Sequence, residues 1–214
     1  MRKQERYNGI IEYFKVNMPA PKSELHYRNG YELLVAVILS AQCTDKRVNL
    51  ITPALFDAFP TAEAMAVATV ENIYSYIKSV SYPNNKAKNL SLMAKRLFEV
   101  YDSEIPQQVD ELTTLGGVGR KTANVIASVL FNKPAMAVDT HVFRVSHRIG
   151  LVSDKATTPL HVEKELIKYF PKELIADAHH WLILHGRYVC IARKPKCEEC
   201  GISFWCKNWS KGNL

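Results

Sequence analysis

Residues 115–123 read LGGVGRKTA and place three glycines within four positions, between two segments of helical pattern. A short apolar helix is predicted near Leu112, and an amphipathic helix through Val125, Ile126 and Val129. Glycines let the main chain turn tightly, and exposed amides at the start of the following helix can hold a phosphate oxygen. The stretch therefore predicts two helices joined by a phosphate-binding turn. An ordinary tight turn between packed helices is the alternative.

The rest of the chain also repeats apolar residues at helical spacing, and no run alternates as a strand would. The clearest repeat is Leu90, Met93, Ala94, Leu97, Phe98 and Tyr101. Residues 31–41 are apolar almost all round, which predicts a helix through the middle of a bundle. Helix starts are predicted where threonine precedes proline, at Thr52-Pro53 and Thr158-Pro159. The predicted fold class is all-α.

The amino-acid composition and net charge indicate what kind of partner the protein binds. The chain has 214 residues, of which 47% are apolar, so it can bury the core of one or two domains. Its 28 Lys and Arg outnumber 21 Asp and Glu, a net charge of +7 that favours a polyanion such as nucleic acid. The longest apolar run, residues 33–39, is shorter than the ~20 residues of a membrane span, and no signal segment is seen. We expect a cytoplasmic protein with no membrane partner.

Four of the five cysteines have the spacing C-x6-C-x2-C-x5-C, at Cys190, Cys197, Cys200 and Cys206. Four thiolates this close can surround one centre, so the spacing predicts a metal site. Zinc and an iron-sulfur cluster both accept four thiolates, and the spacing leaves the two open. The fifth, Cys43, lies in an apolar stretch predicted to be helical, and we expect a small core residue.

Between the first two of these cysteines stand three cations, Arg193, Lys194 and Lys196. A rigid loop that carries them could meet phosphates, whereas a solvated charge run is the alternative.

Lys121 and Asp139 are the candidate catalytic residues. Lys121 falls in the first turn of the predicted helix, where the helix dipole and desolvation favour a free amine that can act as a nucleophile. A plain phosphate-binding lysine is the alternative. Asp139 follows an apolar run and opens another predicted helix, so it could be an N-cap, a proton acceptor that stabilises positive charge on a sugar, or both.

Four segments together carry a family resemblance: LGGVGRKTANV at 115–125, VDTHVFRV at 138–145, HHWLILHGRYVC at 179–190, and the cysteine loop at 190–206. From Tyr27 to Cys206 the chain resembles endonuclease III, the iron-sulfur branch of the helix-hairpin-helix DNA glycosylases. The resemblance implies a two-lobed, all-α fold: a six-helix barrel over residues 23–133, and a helical domain of residues 1–22 plus 134–214 that ends in the cluster loop. DNA would bind along the cleft between them.

The resemblance also implies a base-excision-repair enzyme that removes oxidised pyrimidines, such as thymine glycol, and then cleaves the strand. Lys121 would attack the sugar and form a Schiff base that undergoes β-elimination, and Asp139 would assist. The four cysteines would hold a 4Fe-4S cluster with a structural and DNA-binding role. The implied partner is double-stranded DNA with damaged pyrimidines or abasic sites, and we expect a monomer at the bacterial or archaeal nucleoid.

Several residues would contact DNA by the same resemblance. The hairpin would use Gly117, Val118, Gly119 and Arg120 on phosphates, and the three loop cations would add to them. Gln42 would fill the gap left by the extruded nucleotide, although an amide that bonds to the end of a helix is the alternative. The polar lining near the site would include Ser40, Asp45 and His141.

Two departures from the family pattern affect these contacts. Gly116 stands where the family usually has proline, which we expect to loosen the turn. Tyr82 stands in the loop expected to insert a leucine, so an aromatic ring would be the stacking wedge.

Two other functions remain open. A monofunctional glycosylase of the adenine-removing branch usually lacks a lysine at the position of Lys121. A non-catalytic DNA-binding module would use the hairpin and the cysteine loop for phosphate contacts alone.

Overall fold

The computed structural model of this protein describes residues 1–210 and 212, and within them all regular secondary structure is helical. The predicted all-α class is confirmed. The chain forms two compact units, one of residues 23–131 and the other of residues 1–22 together with 132–214. No helix of the described residues is long and apolar enough to cross a membrane.

The continuous unit is built around one buried helix. Its helices are α2 Gly30–Ser40, α3 Asp45–Ala58, α4 Ala62–Ala66, α5 Val70–Ile77, α6 Pro83–Tyr101, α7 Val109–Leu112 and α8 Arg120–Phe131. Every residue from Tyr31 to Leu39 is buried, as the apolar run predicts. Helices α3, α6 and α8 all pack against α2, and α6 also covers α4 and α5.

One predicted helix start in this unit is wrong. Helix α3 begins earlier, where the hydroxyl of Thr44 accepts a hydrogen bond from the amide of Arg47 at 3.3 Å. Thr52 is buried in the middle of the helix and Pro53 follows it. Proline removes one intrahelical hydrogen bond there, and packing of the buried face that includes Leu55 and Phe56 outweighs that loss.

The discontinuous unit contains α1 Lys3–Asn17, α9 Thr140–Ile149, α10 Pro159–Tyr169, α11 Ile175–Tyr188 and α12 Lys207–Ser210, with 3-10 turns at Lys172–Leu174 and Ser203–Trp205. The predicted start of α10 is confirmed, because Thr158 caps it and Pro159 is its first residue. Aromatic rings fill the core: Phe14 stacks on Trp181 with ring centres 5.6 Å apart.

Helix α1 interlocks with the cysteine loop, which we define as residues 190–206. A Cβ added at Gly9 would lie 2.1 Å from the indole of Trp205, and one at Gly201 would lie 2.3 Å from the ring of Tyr13. A side chain at either position would force the facing aromatic ring to move. Arg6 adds a hydrogen bond of 2.7 Å from Nε to the carbonyl of Trp205.

Candidate active site and metal centre

The hairpin turn, residues 113–119, lies between α7 and α8 as predicted. Amide-to-carbonyl bonds of 3.1 Å, from Leu115 to Leu112 and from Val118 to Leu115, hold it. Gly117 has φ +76°, which favours glycine. The side chain of Val118 is buried, whereas Gly119, Arg120 and Lys121 are exposed. Lys121 is the second residue of α8, so its amine projects from the positive end of that helix.

Gly116 has a packing role that its sequence context did not indicate. A Cβ there would lie 2.5 Å from the carbonyl oxygen of Asn89 and 2.9 Å from the amide nitrogen of Met93. Both atoms belong to the main chain of α6, which leaves no room for a side chain. Thr114 strengthens the contact by accepting a hydrogen bond of 2.9 Å from Arg96 Nε. Gly116 thus lets the hairpin turn pack directly against α6, whereas we had expected glycine to loosen the turn.

Asp139 is the N-cap of α9. Its Oδ1 accepts a hydrogen bond from the amide of Val142 at 2.8 Å, and its Oδ2 lies 3.1 Å from His141 Nδ1. The carboxylate is 15% exposed and the imidazole 30% exposed. Two contacts from the first turn of the helix therefore fix the orientation of a largely buried carboxylate.

The far end of α9 holds the cysteine loop through two arginines one helical turn apart. Arg144 Nη2 donates to the carbonyls of Gly186 at 2.8 Å and Cys190 at 3.2 Å. Arg148 donates to the carbonyls of Ile191 at 2.7 Å and Ala192 at 2.8 Å, and its Nη1 lies 3.8 Å from Cys190 Sγ. The sequence prediction missed both residues.

The four predicted ligands Cys190, Cys197, Cys200 and Cys206 are half-buried and line one pocket, whose empty space of about 320 Å³ includes the part open to solvent. Apolar side chains complete the wall, among them Ile149, Ile202 and Trp209. Among the described residues, no three His, Cys, Asp or Glu side chains are close enough to hold a single metal ion. Soft sulfur ligands spread around a cavity suit a cluster of several atoms.

Burial of this cavity affects its titratable groups. Burial raises the pKa of the Cys200 thiol to about 11 and also raises the pKa of Cys197. Burial lowers the pKa of His185 to about 4, so the ring that lies 3.8 Å from Cys200 Sγ is neutral at pH 7. Without iron these two thiols would be protonated at neutral pH, and iron binding would release their protons.

Three other predicted loop residues, Arg193, Lys194 and Lys196, are exposed. Lys194 has φ +52°, which turns the loop sharply at the centre of the cationic run. Cys43 does not occupy the core position that we predicted. It lies just past the end of α2 and is only partly buried, because the apolar helix stops at Ser40.

Two candidate DNA-inserting residues share an unusual backbone conformation. Gln42 has φ +53° and Tyr82 has φ +54°, and both side chains are exposed, Tyr82 to 62%. The hydroxyl of Ser81 donates to the carbonyl of Gln42, which joins the two turns. The predicted lining residue Ser40 donates to the carbonyl of Val37 at 2.8 Å, and Asp45 is the first residue of α3.

The chain is similar to known proteins over nearly its whole length. Residues 35–172 match the HhH-GPD superfamily of base excision DNA repair proteins, and residues 190–206 match the iron-sulfur binding domain of endonuclease III. The chain is 49% identical to endonuclease III of Rickettsia felis, covering 95% of this chain and 94% of that protein. It is 44% identical to endonuclease III of Escherichia coli K12 over the whole of both.

Solved structures show the same likeness. A trapped endonuclease III–DNA covalent intermediate is 40% identical, with a TM-score of 0.92 and complete coverage of both chains. A non-covalent endonuclease III–DNA complex is 42% identical, with a TM-score of 0.90 and coverage of 99% of this chain and 98% of that one. The cysteine loop is therefore a 4Fe-4S site, and the chain belongs to the endonuclease III family of base excision DNA repair enzymes.

Proposed function

We propose that this enzyme removes oxidised pyrimidines, such as thymine glycol, from double-stranded DNA and cleaves the strand at the resulting abasic site. It acts as a monomer, and a location at the nucleoid follows from its substrate. The observation that carries the proposal is Lys121, an exposed amine in the first turn of α8 directly after the glycine hairpin. The similar structure of a trapped endonuclease III–DNA covalent intermediate supports an enzyme that bonds to its substrate.

Lys121 is the proposed nucleophile. Its Nζ forms a bond to C1′ of the extruded nucleotide as the bond from C1′ to the base breaks, and the base leaves with the electron pair. Nitrogen then loses a proton, the C1′–O4′ bond breaks, and O4′ takes the electron pair and a proton, which leaves a Schiff base between Nζ and C1′. Removal of a C2′ proton then expels the phosphate at C3′, which breaks the strand by β-elimination. The first step needs the free amine, because a protonated amine has no electron pair with which to form the bond.

Asp139 assists at the sugar. A carboxylate held by the amide of Val142 and the ring of His141 has a fixed direction and needs little reorganisation. It stabilises positive charge that develops on the sugar and accepts a proton. Its capping role and its chemical role are compatible, because Oδ1 accepts the hydrogen bond from the amide of Val142 and Oδ2 faces His141.

DNA binding uses both predicted sets of contacts. The turn amides from Gly117 to Arg120 and the exposed cations Arg193, Lys194 and Lys196 contact phosphates. Gln42 occupies the gap left by the extruded nucleotide and Tyr82 stacks as the wedge. Residues in strained, left-handed conformations concentrate at functional sites, which supports these two roles. Ser40, Asp45 and His141 line the site.

The four cysteines would hold the cluster, and the cavity and its sulfur donors fit that group. The bound cluster supplies a fixed link between the four thiolates of the loop and takes no part in bond breaking. The loop can then present its three cations in one arrangement.

Borohydride trapping on a thymine glycol duplex tests the nucleophile. Wild type should yield a covalent protein–DNA adduct, and Lys121→Ala should yield none. Lys121→Arg is the matched control, because it keeps a cation for phosphate binding but forms no Schiff base. It should bind the duplex within about threefold of wild type and trap nothing.

Each other outcome has a definite meaning. An adduct with Lys121→Ala would assign the nucleophile to another residue. Base release without any adduct from wild type would establish a monofunctional glycosylase that uses water. Neither release nor adduct, from folded protein that carries its iron, would point to a different lesion or to the binding-module alternative.

A further inference from the structure

Lys86 is a buried cation that the proposed chemistry does not use. It lies one turn into α6, its side chain is 5% exposed, and it is the one lysine buried among the described residues. Its Nζ donates to the carbonyls of Leu39 at 2.8 Å and Ala41 at 2.7 Å. Burial lowers the pKa of Lys86, whereas the two carbonyl dipoles favour its charged form. A buried ammonium that donates to two main-chain carbonyls restrains the segment that carries those carbonyls.

Those acceptors lie where α2 ends, and α2 has no basic residue of its own in its last turn. Lys86 therefore supplies the cation that the negative end of the helix favours. The side chain starts from the first turn of α6, where the Lys86 amide makes the ordinary helical hydrogen bond to the carbonyl of Tyr82 at 3.1 Å. One residue thus ties residues 39–43 to residues 81–86, two segments that we call the paired turns.

The paired turns contain two strained residues that point into solvent. Gln42 and Tyr82 both have a left-handed backbone conformation. Residues other than glycine rarely adopt this conformation unless surrounding contacts hold it. Their exposed side chains receive little packing, so the backbone sets their direction. The backbone around them is held by Lys86, together with the bond from Ser81 to the Gln42 carbonyl.

We propose that Lys86 is a positioning residue that holds Gln42 and Tyr82 ready to enter the DNA stack. The proposal deepens the proposed function and rests on it, because it needs these two side chains to replace and flank the extruded nucleotide. Preorganisation lowers the ordering cost of binding, so it acts on lesion recognition and base extrusion rather than on bond breaking.

Amide hydrogen exchange without DNA tests the positioning itself. Lys86→Met keeps the length of the side chain and removes the donor, and Lys88→Met is the matched control because Lys88 is exposed two residues away. We expect exchange in residues 39–43 and 81–86 to quicken by about tenfold or more in Lys86→Met and to be unchanged in Lys88→Met. Equal exchange rates in Lys86→Met and wild type would overturn the proposal.

A double-mutant cycle tests the effect on DNA. Lys86→Met should weaken binding to a duplex with a stable abasic analogue by about tenfold and leave undamaged duplex within about twofold. In a Gln42→Ala/Tyr82→Ala background the same change should have no further effect. Cleavage of single-stranded abasic DNA, which needs no extrusion, should stay within about twofold. An undiminished effect in the double background would show that Lys86 does not act through these residues.

A second variant and the trapping experiment distinguish failure of this proposal from failure of the proposed function. If Lys86→Met does not fold, Ser81→Ala removes the other tie and should move the same exchange rates and affinity in the same direction by a smaller factor. If wild type forms no adduct in the trapping experiment, the proposed function fails while hydrogen exchange still reports on the paired turns. If wild type traps and exchange is unchanged, only the role of Lys86 fails.

Discussion

The paired turns, at the end of α2 and the start of α6, and the cysteine loop are both held by cations that donate to main-chain carbonyls, but they are held differently. In the paired turns one ammonium reaches two carbonyls from a buried position. At the cysteine loop the guanidinium groups of Arg144 and Arg148 share four carbonyls, three of them in the loop and one, that of Gly186, in α11. A planar guanidinium can serve several acceptors at once, whereas an ammonium on a flexible stem gives a more local restraint. Loss of one cation should therefore affect the two segments differently.

The largest effect should come from Arg148→Met. It leaves the carbonyls of Ile191 and Ala192 without their donor and removes the positive charge beside Cys190. We expect about 2 to 3 kcal/mol of lost stability and faster release of iron to a chelator, measured by absorbance. The matched control is Arg193→Met, the same charge change at an exposed position of the same loop.

Lys86→Met sharpens the comparison, because it should leave iron release at the wild-type rate. Arg144→Met should have a smaller effect on iron release than Arg148→Met. The main-chain hydrogen bonds of helix α11 also hold the residues around Gly186 in place. If Arg193→Met released iron as fast as Arg148→Met, net charge rather than specific hydrogen bonding would hold the loop.

An intermediate effect is expected at the contact between α6 and the hairpin turn. Gly116→Ala would place a Cβ 2.5 Å from the Asn89 carbonyl, so the turn or α6 must shift. We expect a loss of about 1 to 3 kcal/mol in urea unfolding. Gly119→Ala is the control, because a Cβ there would meet nothing within 4 Å, and it should cost at most about 1 kcal/mol, from the weaker N-capping preference of alanine. Equal losses at both positions would show that the close approach to α6 is not the cause.

The smallest effect should come from a partly exposed ion pair in the discontinuous unit. Burial raises the pKa of Glu165, but hydrogen bonds from Lys3 and the amide of Ser153, with the nearby positive charge, lower it on balance. The pKa of Glu165 in the folded state lies below the usual 4.5. The ionised Glu165 therefore stabilises the fold fully above pH 4.5, and this stabilisation is lost as pH falls through the lowered pKa.

Thermal unfolding across pH measures this contribution. Wild type should exceed Glu165→Gln by less than about 1 kcal/mol at pH 7, and the gap should close in acid. The control is Glu173→Gln, at an exposed carboxylate, which should change stability little at either pH. A gap that widened in acid would contradict the assigned direction.

The features that the sequence predicted well are local ones. The apolar run of α2, the cap at Asp139 and the threonine-proline start of α10 depend on neighbours within a few residues. Thr52-Pro53 has the same local signal, yet packing along α3 overrides it. Cys43 was misplaced because the end of α2 carries no local stop signal.

The missed residues act over long separations. Lys86 meets its acceptors 47 and 45 residues away, and Arg148 meets Ile191 and Ala192 43 and 44 residues away. No pattern in a single sequence pairs such positions. The arginines at i and i+4 on α9 share a face, but that spacing does not say which carbonyls they meet.

The interlock between α1 and the cysteine loop sets an order of events during synthesis. Arg6 and Trp205 are 199 positions apart, so α1 leaves the ribosome long before the residues that it packs against. Residues 23–131 form a continuous unit that can fold while α1 still lacks its partners. All four cysteines emerge late, and Cys206 is the last. The docking of α1 onto this loop and the binding of iron by all four cysteines therefore both wait until residues 190–206 have emerged.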